Sequence, residues 1–273
     1  MNPHSDKGVA LITGASSGIG ATYADRLAHQ GYDLILVARD APRLEQLATR
    51  LRADAGIRIE VFRADLTQEA DLSRVEQRLR SDGTITMLVN NAGVAVSGPL
   101  VGGDLASMES MIDLNVVALT RLASAAATDF VARGAGILIN LSSVLALAPE
   151  QFNAVYSATK AYVLNLSLSL HQELSPSGVQ VQVVLPGATR TALWARAGID
   201  VGSLPASMLM EVEEMVDAAL VGLDRRELVT MPSLPNSADW ESFTAARLNL
   251  GPNLSRQHAA DRYKSVDHAT ASA

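Results

Sequence analysis

Through the first two thirds of the chain, short apolar runs rich in β-branched residues alternate with longer segments whose apolar positions recur at helical spacing. The runs are Val9–Thr13, Asp33–Ala38, Ile57–Arg63, Ile85–Asn90, Gly136–Leu141 and Val179–Leu185. Continuous rather than alternating apolarity marks strands covered on both faces. Between them, Leu44, Leu47 and Leu51 form the stripe of an amphipathic helix, and Leu72, Val75 and Leu79 repeat it in the next unit, with Thr67 as the expected N-cap. Buried strands separated by helices pair in parallel, and right-handed crossovers then give an α/β, Rossmann-type, doubly wound parallel sheet with helices on both faces. No Pro/Gly/Ser linker divides the first 190 residues, so residues 1–273 are expected to form one domain. Three regions break the alternation: a long connection rich in Ala, Leu and Met at 190–211, a segment with two prolines at 232–240, and a small, polar tail, Asp267–Ala273, expected to fray.

Composition narrows the function classes. With 22 Lys+Arg against 29 Asp+Glu the net charge is −7, and aromatics are 4%. Such a chain has no basic field with which to displace counterions from nucleic acid. It has no cysteine, which excludes disulfides, thiolate metal sites and cysteine nucleophiles. The histidines (His4, His29, His171, His258, His268) lack ligand spacing, so no metal is expected. The start, Met1–Gly8, lacks a signal-peptide core, and no run approaches the roughly 20 apolar residues of a membrane span. The expectation is a cytoplasmic protein with neither membrane nor nucleic acid as partner.

The first strand runs into Thr13-Gly14-Ala15-Ser16-Ser17-Gly18-Ile19-Gly20, and a helix follows over Ala21–Gln30. Strand, glycine turn and helix N-terminus together make an anion site, suited to a pyrophosphate. The spacing G-x-x-x-G-x-G, without the Lys-Ser/Thr of an ATP-type loop, excludes a P-loop NTPase. A turn whose glycines serve packing alone is the competing reading.

Tyr156 and Lys160 stand four residues apart in the helical stretch Val155–Leu174, hence on one face. An ammonium beside a phenol stabilises the phenolate and moves its pKa toward neutrality. Ser142-Ser143 and Asn90-Asn91-Ala92-Gly93 end two strands at the carboxyl edge, where ligands bind in open α/β sheets. Asn115 interrupts an apolar helical run and needs a partner, either functional or as a satisfied core amide.

Taken together, these residues resemble the short-chain dehydrogenases/reductases in their compact single-domain branch. The matching motifs are Thr13–Gly20, Asp65-Leu66, Asn90–Gly93, Asn115, Ser143, Tyr156 with Lys160, and Pro186-Gly187, in the family's order over about residues 7–191. The resemblance implies a sheet of about seven strands, the seventh near Leu228–Met231, a variable substrate lid at about 190–211, and a C-terminal extension at about 232–273. It implies Tyr156 as general acid/base, and Lys160 as the group that lowers its pKa and holds the nicotinamide ribose. It further implies Ser143 as donor to the substrate carbonyl, and Asn115 as support for a water relaying protons to Lys160. Gly14, Ser16, Ser17, Gly18, Ile19 and Gly20 would cradle the cofactor. Asp65 and Leu66 would meet its adenine, and Asn91, Ala92 and Gly93 the region of the adenosine ribose. Pro186, Gly187, Thr189 and Thr191 would meet its carboxamide.

Where NAD-preferring folds carry an acid after the second strand, this chain has Ala38, and Arg39 follows. A guanidinium suits a 2′-phosphate, so NADP(H) is expected over NAD. The lid residues Leu193, Trp194, Ile199, Val201, Leu204, Met208, Leu209 and Met210, with Leu145, Leu147 and Phe152, suit an apolar carbonyl or alcohol substrate; ordinary helix core or an oligomer contact is the competing reading of the lid residues. The family habit of twofold pairing implies a homodimer or homotetramer, with Ala123, Ala126, Ala127, Ala161, Leu164 and Leu168 as candidate contacts. Two other classes compete: an NADP(H)-binding redox sensor or scaffold without turnover, and a dinucleotide-dependent epimerase or dehydratase. The complete Ser143/Tyr156/Lys160/Asn115 set argues against the first. The glycine spacing and the lack of a longer substrate domain argue against the second.

Overall fold

In the computed structural model, which describes residues 5–264, the strands are β1 (Val9–Thr13), β2 (Asp33–Ala38), β3 (Ile59–Arg63), β4 (Ile85–Asn90), β5 (Gly136–Leu141), β6 (Val179–Val184) and β7 (Val229–Thr230). All neighbours pair in parallel, in the order β3-β2-β1-β4-β5-β6-β7. The chain therefore reverses its direction of travel across the sheet between β1 and β4. That is the switch point at which an open sheet leaves a crevice beyond its carboxyl ends.

Helices cover both faces. On one side α1 (Gly18–His29), α2 (Ala41–Ala55) and α8 (Val212–Asp224) bury Leu27, Leu44, Leu51 and Met215 against the sheet. On the other, α3 (Glu69–Ser81) and α5 (Leu119–Arg133) bury Leu72, Val75, Leu122 and Phe130, joined by Leu174 at the end of α6 (Ala154–Leu174). The described residues fall into two units that part between Ser233 and Leu234. The second holds α9 (Ser237–Leu248), capped by Asn236, and a helical turn at Gly251–Asn253. Its rings Trp240 and Phe243 stack 5.4 Å apart. His4, His268 and the expected fraying of Asp267–Ala273 lie outside the described residues.

Several expectations need correction. Thr67 does not cap α3; Gln68 occupies that position, because the Thr67 hydroxyl is drawn to Asp65 Oδ1 at 2.8 Å. Residues 105–133 form one continuous helical stretch, α4 (Leu105–Ile112), a π-turn at Asp113–Ala118 and α5, that is long and apolar enough to pass as a membrane span. Half of its most apolar window is buried inside the protein, as in a core helix. Ala123, Ala126, Ala127 and Leu164 are already buried within the single chain, so they are not free to meet a second copy. The exposed large apolar residues of those helices are Leu105, Ile112, Val117, Val131 and Tyr162.

Candidate active site

The carboxyl ends of β1, β4, β5 and β6 open onto a cavity of about 750 Å³. Its floor begins where β1 stops. The backbone turns through Gly14 and Gly18 with φ of 68° and 54°, values that favour glycine. The Thr13 hydroxyl accepts from the N–H groups of Asn91 (3.0 Å) and Ala92 (2.9 Å), and the Asn91 carboxamide donates to the Thr13 carbonyl at 2.8 Å. The end of β4 thus clamps the turn after β1. There is no room for side chains: a Cβ on Gly20 would lie 2.5 Å from both Gly14 O and Asn91 Nδ2. At the start of α1, Ser17 makes no side-chain capping bond, and no acid stands in the first turn. The open amides and positive helix pole fit a dinucleotide diphosphate.

At the far end lie Arg39, Asp40, Arg43, Asp65 and Leu66. Arg39 is 63% exposed and stands 3.8 Å from the Asp65 carboxylate, which also accepts from Thr67. Asp40 caps α2, accepting from Arg43 N at 3.1 Å. Sequence reasoning passed over Arg43; its place one turn into α2, beside Arg39, was the available signal. Asn91 lines the cavity, but its amide nitrogen is spent on the glycine turn.

The chemistry-bearing side chains meet at the centre. Asn153 caps α6 by accepting from Tyr156 N at 3.0 Å, and it donates to Gly98 O from the same side chain. This fixes the first turn of α6 and with it Tyr156, against whose ring Phe152 sits edge-on at 5.4 Å. One turn on, the Lys160 ammonium donates to Leu141 O at 3.0 Å and lies 5.7 Å from the Tyr156 ring centre. The two serines divide. Ser142 donates to Lys160 O at 2.7 Å and braces α6, whereas the Ser143 hydroxyl accepts from Leu145 N at 3.2 Å and lines the cavity together with Tyr156. Asn115 sits in the π-turn, accepting from Val94 N (2.9 Å) and donating to Val94 O (2.9 Å) and Thr159 Oγ1 (3.2 Å). Its carboxamide is satisfied, as in the core-amide reading. The π-turn, a form frequent at functional sites, aims it there.

Burial dominates the titration of the pair. It pushes Tyr156 up to about 12, offset in part by the Ser143 hydrogen bond, and pulls Lys160 down to about 8. Burial of the phenol thus outweighs the expected lowering. It favours the neutral form of each group, the phenol of Tyr156 and the amine of Lys160. Any activity that needs the Lys160 cation is expected to be flat from about pH 6 to 7 and to fall as pH rises through about 8. Lys160→Arg, whose charge persists, should move that limb out of range; a limb unmoved in the variant assigns it to another group.

The roof is an excursion that leaves after Pro186-Gly187. Its ends are joined by a bridge between Thr189 and Met210 and by an Arg190–Glu211 ion pair at 2.7 Å. Within it α7 (Leu193–Arg196) is pinned by Trp194 Nε1, which donates to Thr189 O at 2.7 Å. Leu145, Phe152, Leu193, Trp194, Ile199, Leu204 and Met208 line the cavity as expected. Leu147, Val201, Leu209 and Met210 do not; Met210 packs instead on the core at the base of the lid. Gly93, Pro186, Gly187, Thr189 and Thr191 also line it, as do Gln151 and Arg196, which sequence reasoning missed.

A family model described as short chain dehydrogenase matches residues 8–201. Among solved structures, a short-chain dehydrogenase from Sphingobium yanoikuyae in complex with NADPH is 55% identical, with a TM-score of 0.92 over 94% of this chain and 100% of that one. A bulky-bulky ketone specific alcohol dehydrogenase from Comamonas testosteroni is 48% identical, with a TM-score of 0.87 over 94% of this chain and 98% of that one. An uncharacterized oxidoreductase of Staphylococcus saprophyticus is 34% identical over 186 residues, 68% of this chain and 80% of its own length.

Proposed function

The chain belongs to the short-chain dehydrogenase family, and from that premise we propose that it interconverts a ketone and a secondary alcohol with NADP(H), using Tyr156 as the proton donor and acceptor. One observation carries the reading: a buried tyrosine, one turn from Lys160, lines the same cavity as Ser143 and an open glycine cradle. The nicotinamide cofactor supplies the hydride. Gly14, Ser16, Ser17, Gly18 and Ile19 line the cavity and would hold its diphosphate; Gly20, expected among them, does not line it and packs against Gly14 O and Asn91 Nδ2 instead. Asp65 and Leu66 border the adenine, Asn91 to Gly93 the adenosine ribose, and Pro186, Gly187, Thr189 and Thr191 the carboxamide. Ser143 and Tyr156 donate to the substrate oxygen as it gains charge, in the manner of an oxyanion hole, and Tyr156 then gives up its proton. Lys160 contributes its positive charge and a path for proton replacement, with Asn115 holding the neighbouring backbone in place.

NADP(H) is favoured over NAD because Ala38 offers no carboxylate to repel a 2′-phosphate and Arg39 stands beside it. The Sphingobium relative, 55% identical, binds NADPH. An apolar ketone with bulk on both sides suits the lining by Leu145, Phe152, Trp194 and Met208, and accords with the ketone preference of the Comamonas relative. The test follows nicotinamide absorbance with a panel of ketones and alcohols, in both directions. NADPH oxidation with bulky aryl ketones is expected. Tight NADPH binding with no oxidation across the panel would favour a sensor or scaffold. In the same assay Arg39→Ala is expected to raise the NADPH dissociation constant about tenfold and leave NADH unchanged; an unaltered NADPH constant removes Arg39 from the site.

A further inference from the structure

The lid brings a cation to the wrong pole of a helix. Arg196, the last residue of α7, donates from Nη2 to Ser17 Oγ at 3.2 Å. Ser17 is placed to cap α1 but makes no capping bond. The guanidinium therefore sits at the positive end of α1, where a cation is disfavoured. Among the described residues no carboxylate pairs with Arg196, whereas Arg190 on the same excursion is paired with Glu211. Arg196 also lines the cavity together with Gly14, Ser17, Gly18 and Ile19. Two positive features facing one gap become favourable when an anion lies between them, with amides on one side and a guanidinium on the other.

We propose that Arg196 is a ligand for the diphosphate of the bound dinucleotide, carried on the lid, so that the lid and the cofactor hold each other in place. The proposal rests on the reading that a dinucleotide binds at the glycine turn. It extends the family motifs, which end before α7 in this chain, by a residue that ties the roof to the floor. It also separates the two arginine roles. Arg39 stands at the ribose-phosphate end and should discriminate between cofactors. Arg196 stands at the diphosphate and should not.

The test measures NADPH and NADH dissociation constants by nicotinamide fluorescence, without substrate, for wild type, Arg196→Ala, Arg196→Lys and Arg39→Ala. Arg196→Ala is expected to weaken both cofactors by the same factor, about tenfold, with the lysine variant between. Chymotrypsin cleavage beside Trp194 is expected to be suppressed by NADPH in wild type and not in Arg196→Ala. Because Arg196 is exposed, the variants keep the fold. Equal affinities in wild type and Arg196→Ala, or lid protection that survives the substitution, overturns the proposal while leaving the dinucleotide reading intact. Failure of the wild type to bind either cofactor overturns both.

Discussion

Tyr156→Phe is expected to lower kcat for ketone reduction by about 10³-fold while leaving the NADPH dissociation constant within about twofold. The substitution removes one oxygen and keeps the ring. The edge-on contact with Phe152 at 5.4 Å and the cap from Asn153 to the Tyr156 backbone both survive. Ser143, on the same cavity, retains its bond from Leu145 N. Packing and cofactor cradle are thus untouched, and what disappears is the hydroxyl proposed to give its proton to the substrate oxygen. Stopped-flow reduction with saturating NADPH, together with a fluorescence titration of cofactor, reads the two quantities separately. Activity within tenfold of wild type would sink the assignment of Tyr156 as the acid.

Gly20→Ala should act on the opposite quantity. The added methyl lies 2.5 Å from Gly14 O and from Asn91 Nδ2, too close for either to stay. Gly14 O is backbone, so the glycine turn itself must shift, and the Asn91 bond to Thr13 O is disturbed with it. A cradle built from fixed amides tolerates little displacement, and overpacking of this kind costs about 1–3 kcal/mol. The expected result is NADPH affinity reduced by about 100-fold or more and a Tm lowered by roughly 3–10 °C. An unchanged NADPH constant with an unchanged melting curve would mean that the turn does not hold the cofactor.

The strands were readable because both faces of the sheet are covered, so that each strand is a continuous apolar run. The one early start, Ile57 for β3, comes from Arg58, whose side chain is tied to Asp33 and whose residue precedes the first ladder pair, Leu34 with Ile59. The helix after the glycine turn begins at Gly18 rather than Ala21, since glycines carry no helical signal although the backbone has already turned. Tyr156 and Lys160 could be paired from spacing alone, as a helix puts residues four apart on one face. Their protonation could not. It depends on burial by segments far away in the chain, and the same holds for the Asn91 clamp on Thr13 and Gly14. The contact between Arg196 and Ser17 spans 179 positions and leaves no local trace. Nor did composition reveal which alanines of α5 face inward; they pack against α3 and the sheet, leaving Val131 outside.

The joining of Thr189 to Met210 has a consequence for how such a protein can change over generations. Everything between those two positions departs from and returns to the scaffold at a single doorway, so insertions, deletions or wholesale replacement there leave the strands, the glycine turn and the Tyr156 helix in register. A graft of a foreign roof, cut at this doorway, would carry new contacts for substrate onto an unaltered sheet, provided that it kept Thr191 and Arg196, the two positions of the excursion that face the glycine turn.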